Sequence, residues 1–98
     1  MNQSKSTLST DSVVKHNEDV LFSEVADGMS LMDIESGKYF HFDETGARIW
    51  KQINGEMQIS EICDKLQYEF DVEAETCQRD TLEFLQELAD MDLVKTGG

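Results

Sequence analysis

Four side chains in this sequence carry the sulfur or imidazole groups used by nucleophiles and zinc ligands: Cys63, Cys77, His16 and His41. The histidines are 25 positions apart, and neither a His-x-x-x-His spacing nor a Cys-x-x-Cys motif is present, so no zinc pattern exists. Both cysteines fall at apolar positions, where free cysteine usually packs in a core, and neither is placed with a histidine base. We therefore predict buried thiols, no metal, no cofactor and no catalytic residue.

Carboxylates dominate the charge, with 21 Asp and Glu against 8 Lys and Arg and a net charge of −13. None of them stands out as an acid–base pair, and the acidic runs are typical of solvated faces. The glycines are too far apart for a phosphate-binding loop. An acidic chain repels phosphates and anionic lipid, so the charge argues against nucleic acid and membrane surfaces as partners.

The length of 98 residues and the 39% apolar content indicate one domain with an ordinary core. We expect a flexible polar tail at 1–11, a folded domain at 12–94 and a loose C-terminus at 95–98. No apolar run approaches the roughly 20 residues of a spanning helix, and the N-terminus lacks the apolar region of a secretory signal. These features favour a cytoplasmic protein.

The first half of the domain has strand patterns. Short β-branched runs at 13–14 and 20–22 predict one or two strands. The alternating segment 29–34, the turn Ser36-Gly37 and the aromatic segment 38–42 predict a β-hairpin. In the second strand, Phe40 and Phe42 share one face, so His41 points away from the core.

The period becomes helical after residue 43. Asp43 is a predicted N-cap for a first helix that ends at Asn54-Gly55, with Trp50 in its core face. Ser60 is the predicted cap of a second helix, and a third is expected from about Glu73 to Met91. Leu93-Val94 is expected to be a short extended end. The predicted fold is α+β and winged-helix-like, with an N-terminal three-stranded antiparallel sheet followed by three helices.

Three segments carry a family resemblance. They are Tyr39-Phe40-His41-Phe42-Asp43-Glu44-Thr45-Gly46-Ala47-Arg48-Ile49-Trp50, Ile53-Asn54-Gly55-Glu56-Met57-Gln58-Ile59-Ser60-Glu61-Ile62, and Asp80-Thr81-x-x-Phe84-Leu85-x-x-Leu88. Together they resemble the PqqD-like family of RiPP recognition elements, which bind the leader regions of precursor peptides. The resemblance spans residues 12–94. Free-standing members of this size are typical of lasso-peptide and radical-SAM peptide-modification clusters.

The resemblance implies a binding mode in which a leader peptide adds antiparallel to the exposed last strand of the hairpin and places apolar side chains against the third helix. On this chain the implied strand residues are Lys38, Tyr39, Phe40, His41 and Phe42. The implied helix residues are Gln78, Arg79, Leu82, Leu85 and Gln86. The implied partners are a precursor peptide and a separate enzyme, either a radical-SAM protein or a leader peptidase.

Leu82 is the residue that the helix pattern itself singles out. The apolar stripe at 77, 81, 84, 85 and 88 is complete without it, and Leu82 lies about 100° from Thr81 at the margin of that stripe. Arg79, the one basic residue of this helix, is placed to receive a leader carboxylate. In the alternative interpretation Leu82 only widens the core face, and Arg79 pairs with Glu75 or Glu83.

The leading hypothesis is a non-catalytic peptide-binding adaptor. Residues 43–98 hold 14 acidic and five basic side chains, which would favour a basic leader or enzyme surface. The main rival is an acidic scaffolding or regulatory subunit that binds a protein partner without a leader. A DNA-binding winged helix and a small enzyme fit poorly, since the third helix is acidic and catalytic groups are missing. A monomer or weak dimer is expected, because the same strand edge could pair with its copy.

Overall fold

The computed structural model describes residues 8–97. Within that range the chain forms six strands and three helices: β1 (Val13–His16), β2 (Val20–Val25), β3 (Gly28–Asp33), β4 (Tyr39–Asp43), α1 (Glu44–Gln52), β5 (Met57–Gln58), α2 (Ile59–Phe70), α3 (Ala74–Asp90) and β6 (Val94–Gly97). The fold is α+β and winged-helix-like, as the sequence predicts. None of the helices in the described range is long and apolar enough to cross a membrane.

Strands β2, β3 and β4 form an antiparallel sheet in that order, here called the wing sheet. Its β3–β4 hairpin is the predicted one, with Leu31 opposite Phe40 and Met29 opposite Phe42. Gly28 begins β3 opposite Asp43, and a Cβ there would lie 2.0 Å from the carbonyl oxygen of Phe42. Glycine is therefore required at position 28 for β3 and β4 to approach each other.

A second antiparallel sheet, here called the terminal sheet, has the order β5, β1, β6. The sequence patterns predicted only the extended residues 93–94 at this end and assigned 95–98 to a loose end. In the structure residues 95–97 continue β6 and pair with β1, with Gly97 opposite Val13. β6 forms because, without it, the edge of β1 opposite β5 would keep unpaired N–H and C=O groups next to the core.

The N-terminal segment joins the domain before β1. Of the predicted tail at 1–11, residues 1–7 lie outside the described range. Leu8 is 9% exposed, and the carbonyls of Thr10 and Ser12 accept hydrogen bonds of 2.9 Å from the backbone N–H groups of Ser60 and Ile59. Residues 8–12 thus satisfy N–H groups at the start of α2 that no helical carbonyl can reach.

The helix starts follow local capping chemistry. The Asp43 side chain accepts a hydrogen bond of 3.0 Å from the Gly46 N–H and caps α1, as predicted. The predicted Ser60 cap of α2 is wrong, because Gln58 is the N-cap and Glu61 completes a capping box with it. A Gln cap is uncommon, so the sequence pattern favoured the nearer serine.

The core lies between the two sheets and the three helices. Its side chains without exposed surface are Val14, Met29, Leu31, Ile59, Ile62, Leu85, Leu88 and Leu93. Trp50 and both cysteines are buried, as the sequence predicts. Burial raises the pKa of the Cys63 thiol to about 11, so Cys63 is a protonated packing residue at neutral pH and not a nucleophile.

His16 ties the terminal sheet to α1. Its ring stacks on Trp50 with a centroid distance of 3.9 Å, and Nε2–H donates to the Trp50 carbonyl at 3.0 Å. Burial lowers the pKa of His16 more than that hydrogen bond raises it. Protonation of this imidazole therefore favours the unfolded chain, which takes up its proton at about pH 6.5.

We expect the free energy of unfolding to decrease as pH falls below about 6.5, with part of this decrease due to His16. Urea unfolding at pH 7.5 and pH 5.5 measures the effect. His16→Gln should flatten the pH dependence, and His41→Gln, at an exposed position of β4, is the matched control for the substitution. An unchanged slope in His16→Gln would contradict the assignment.

Candidate peptide-binding groove

The free edge of β4 presents backbone groups that have no partner strand. The Asp33 N–H donates to the Lys38 carbonyl at 2.9 Å, so these two residues form a hydrogen-bonded pair. Such pairs alternate with non-bonded pairs along an antiparallel ladder. With the observed register, Phe40 and Phe42 direct their N–H and C=O groups toward β3. Tyr39 and His41 direct their N–H and C=O groups outward, where the backbone of a further strand could form hydrogen bonds with them.

The side chains of β4 alternate between two faces. Phe40 and Phe42 point toward the helices and are half-buried, whereas Tyr39 and His41 are exposed on the outer face of the wing sheet. Phe42 meets Phe84 of α3 edge to face, with a centroid distance of 5.3 Å and an interplanar angle of 89°. This contact closes the space between β4 and α3 at its base.

Gly46 makes that contact possible. A Cβ on Gly46 would lie 3.0 Å from two ring carbons of Phe84 and 3.1 Å from the Cβ of Phe42. Any larger side chain would push α1 away from β4 and α3. The glycine of the Thr45-Gly46-Ala47 segment is therefore a packing residue at the junction of three elements.

Helix α3 has two flanks on either side of its buried stripe. Met91, the C-cap, follows Phe84 by seven residues and so lies within about 20° of it around the helix. Both are half-buried and pack against the core, and Phe84 does so beside Phe42 of β4. Leu82 and Gln86 each lie about 160° from Phe84. We call the space bordered by Phe40, Phe42, Phe84 and Met91 the β4–α3 groove.

The second flank of α3 is turned toward the N-terminal segment. Leu8, Leu82 and Gln86 line a hollow of about 550 Å³, and the Leu8 N–H donates to the Gln86 side-chain oxygen at 2.9 Å. Leu82 thus packs beside Leu8 and not opposite β4. The sequence carried no signal for this contact, because Leu8 stands alone in a polar segment.

The structure therefore divides the residues that the resemblance implied. The segment from Lys38 to Phe42 supplies the free edge and part of the groove floor. Leu82 and Gln86 lie on the other flank, and Gln78 and Arg79 are exposed. Leu85 has no exposed surface and is a core residue, so it offers nothing to a peptide. Phe84 and Met91 were not in the implied site, although the spacing of seven residues places them together.

The other edge of the wing sheet is chemically different. Strand β2 borders a hollow of about 380 Å³ that charged side chains line, among them Glu24, Lys51 and Glu69. The Lys51 ammonium and the Glu24 carboxylate form an ion pair of 2.6 Å there. An apolar side chain of a peptide added at β2 would have to displace this ion pair. At β4 the same side chain would meet the aromatic rings of Phe40 and Phe42.

A smaller apolar hollow of about 90 Å³ lies where α1, α2 and the start of α3 meet. Thr45, Leu66, Phe70 and Asp80 are among its lining residues, and the Arg48 guanidinium lies 4.5 Å from the centroid of the Phe70 ring. Because Asp80 is one turn before Phe84 on α3, this hollow continues the line of the groove toward the N-terminus of α3.

Within residues 8–97 no group of three or more His, Cys, Asp or Glu side chains is placed to hold a metal ion. The Cys77 thiol lies 3.8 Å from the Cys63 carbonyl and 3.9 Å from the Thr81 hydroxyl, which are packing contacts. His41 lies 3.9 Å from Asp27, and both side chains are largely exposed. The described residues offer an edge and a groove for binding.

The family profile described as "Coenzyme PQQ synthesis protein D (PqqD)" matches residues 28–94, from the wing hairpin to the end of the helical half. The chain belongs to the PqqD family. The predicted resemblance to the PqqD-like family is confirmed, and the three segments that carry it lie within the matched range. No curated protein sequence matches this PqqD-family chain closely enough to count as a relative.

Solved structures share the PqqD-family fold. TbiB1, solved in complex with the TbiA(beta) leader peptide, is 30% identical and has a TM-score of 0.71, with 83% of this chain and 94% of that chain covered. Lasso peptide synthetase B1, complexed with its leader peptide, is 19% identical with a TM-score of 0.66 and coverages of 84% and 96%.

The PqqD truncation of Methylobacterium extorquens PqqCD, solved by solution NMR, has a TM-score of 0.74. It is 22% identical, with 90% of this chain and 94% of that chain covered, and it is described as a functional, stand-alone RiPP recognition element. At this identity, the last two structures bear on the fold alone.

We expect Gly46→Val to destabilise the domain by about 1–3 kcal/mol, because the added methyl groups overpack the contact between Phe42 and Phe84. Thr45→Val is the control, because it places a valine at the neighbouring exposed position of the same helix. Its change in the free energy of unfolding shows the effect of valine in this helix without the contact to Phe42 and Phe84. Urea unfolding gives both values. Equal stabilities of the two variants would show that Gly46 is not a packing requirement.

Proposed function

We propose that this PqqD-family protein is a non-catalytic adaptor. It binds the leader region of a ribosomally made precursor peptide by β-strand addition to β4, and it delivers that peptide to a separate modifying enzyme in the cytoplasm. The enzyme is a radical-SAM protein or a leader peptidase of the lasso type. The observation that carries this proposal is the unpaired outer edge of β4 beside an apolar groove.

Strand addition uses the two chemical features of that site together. The outward N–H and C=O groups of Tyr39 and His41 bond to the peptide backbone whatever its sequence. Every second peptide side chain then points into the groove toward Phe84. Burying apolar side chains against these rings supplies affinity, and the shape of the groove supplies selectivity.

The adaptor role needs no catalytic group on this chain. Holding a leader raises the effective concentration of the attached core peptide at the active site of an enzyme that binds the adaptor. TbiB1 and lasso peptide synthetase B1, which share this fold, were both solved with leader peptides bound. The TbiB1 complex, at 30% identity, supports leader binding as the function of this chain.

A second candidate function is an acidic scaffolding or regulatory subunit that binds a protein partner without a leader. The outer face of the wing sheet favours it. Leu21, Met32 and Tyr39 lie side by side across the three strands, and Leu21 and Tyr39 are 52% and 73% exposed. With Ile34, 51% exposed, this row is an apolar surface that a protein partner could cover.

We expect His41→Pro to weaken leader binding by at least about tenfold. Proline removes an outward N–H of β4 and spares the bonds between β4 and β3. The measurement is fluorescence anisotropy with the labelled leader half of the short precursor peptide encoded beside this protein. Glu24→Pro, which removes an outward N–H from the other edge strand, should bind normally. A folded His41→Pro variant with normal affinity would rule out strand addition at β4.

The two flanks of α3 give a further prediction. Phe84→Ala should weaken leader binding by about tenfold, because it removes an aromatic wall of the groove. Leu82→Ala, on the flank that holds Leu8, should stay within about twofold of the wild type. Circular dichroism confirms that both variants fold. The opposite ranking would place the leader on the flank that the resemblance implied.

A further inference from the structure

The small apolar hollow where α1, α2 and the start of α3 meet lies beside the β4–α3 groove, and we call it the three-helix hollow. Its exposed rim includes Thr45 of α1 and Asp80 of α3. Thr45 precedes Gly46, and Asp80 lies one turn before Phe84. A Cβ on Gly46 would lie only 3.0 Å from the Phe84 ring, so these two residues pack directly against each other. The hollow therefore begins one helical turn from the junction that closes the groove.

The floor of the three-helix hollow is apolar, and the hydroxyl groups in its lining already have partners. Ile49 and Cys77 are among the buried residues of the floor. The Thr81 hydroxyl lies 3.9 Å from the Cys77 thiol. The Thr76 hydroxyl donates to the Glu73 carboxylate at 2.9 Å. A buried water molecule needs about two to four polar partners, so the hollow suits an apolar group better than water.

The outer wall of the hollow disfavours a charged ligand. The Arg48 guanidinium lies 4.5 Å from the centroid of the Phe70 ring, and both residues line the hollow. Stacking on an aromatic face leaves the N–H groups of Arg48 available to a carboxylate, and Glu44 lies 3.5 Å away in that role. An anionic group in the hollow would have to compete with Glu44 for this charge.

The volume of the three-helix hollow limits the side chain that can enter it. The hollow has about 90 Å³, whereas an apolar cavity of about 150 Å³ is large enough to bind benzene. An aromatic ring is therefore too large for the hollow. The aliphatic side chain of a valine, leucine or isoleucine is smaller and would contact the apolar lining over most of its surface.

We propose that the three-helix hollow binds one aliphatic side chain of the leader, here called the anchor, which precedes the segment paired with β4. This inference rests on the proposed leader-binding function and adds the class of residue that the leader must carry. An antiparallel leader runs from the end of β4 toward its start. The residues before its paired segment therefore pass Asp43 and reach the rim of the hollow at Thr45.

Continuity with the groove favours the leader over a free small molecule as the occupant. Along α3, Asp80 lies about 6 Å from Phe84, a distance that two residues of extended peptide cover. A free molecule would gain only the contacts of this small hollow. A leader already held at β4 presents its anchor at a high effective concentration, so a single aliphatic side chain is enough to use the site.

The first test uses the full chain and the leader half of the precursor peptide encoded beside it, with fluorescence anisotropy as the measurement. Each valine, leucine and isoleucine of the leader is changed in turn to alanine. One of these changes, before the segment paired with β4, should weaken binding about tenfold, because the methyl groups that fill the hollow are lost. Phenylalanine at the same position should weaken binding at least as much, since its ring exceeds the volume of the hollow.

A variant of the protein identifies the site of the anchor. Thr76→Leu adds an aliphatic side chain at the half-buried rim and should weaken binding of the unchanged leader about tenfold. In this variant, alanine at the anchor position should cost less than about twofold more, because the two changes remove the same contact. Ala74→Leu places the same side chain at an exposed position of α3 outside the hollow and should stay within about twofold of the wild type. Equal losses in the two variants would overturn the assignment.

Nuclear Overhauser effects between the wild-type chain and the bound leader decide without any substitution in the protein. The methyl groups of the anchor should show contacts to the methyl groups of Ile49 and Leu66, which line the hollow. If the leader binds and His41→Pro abolishes binding, but no aliphatic residue shows these contacts, strand addition stands and the anchor is wrong. If the leader does not bind the wild-type chain at all, the proposed function fails and the anchor fails with it.

Discussion

The contact between Phe42 and Phe84 over Gly46 fixes how the wing sheet, α1 and α3 meet. Phe42 is the last apolar residue of β4, Asp43 caps α1, and Gly46 lies in the first turn of that helix. Five consecutive positions, 42–46, therefore end a strand, start a helix and admit an aromatic ring from α3. Because close-packed interiors tolerate little added volume, the width of the β4–α3 groove depends on this junction.

The junction also determines which sheet edge is available. With α1 and α3 held on the inner face of the wing sheet, the backbone of β4 keeps its outer side open. Exposed strand edges usually carry protection against unwanted pairing. At β2 the ion pair of Lys51 and Glu24 and a charged hollow give this protection. At β4 the polar side chains are Lys38 just before the strand, Tyr39, His41 and the helix cap Asp43, so β4 has less protection than β2 against an added strand.

The sequence predicted the hairpin, the three helices and the Asp43 cap because each depends on neighbours within a few positions. It missed β5, the extent of β6 and the packing of Leu8, since these depend on partners more than 40 positions away. The alternation of Phe40 and Phe42 predicted a shared inner face, and both are half-buried in the structure. The position of Leu82 beside Leu8 was not predictable, because helical spacing alone does not say which element covers each flank of the stripe.

The two flanks of α3 now have separate physical roles. Leu8, Leu82 and Gln86 use one flank to fasten the N-terminal segment, and that segment in turn bonds the first N–H groups of α2. The β4 flank keeps a half-buried apolar strip, whose remaining exposed surface is unfavourable in water unless something covers it. A domain of this size has few apolar side chains to spare. Gly46 brings β4 close enough for one ring contact and leaves the rest of the strip open, as a groove that a peptide can fill.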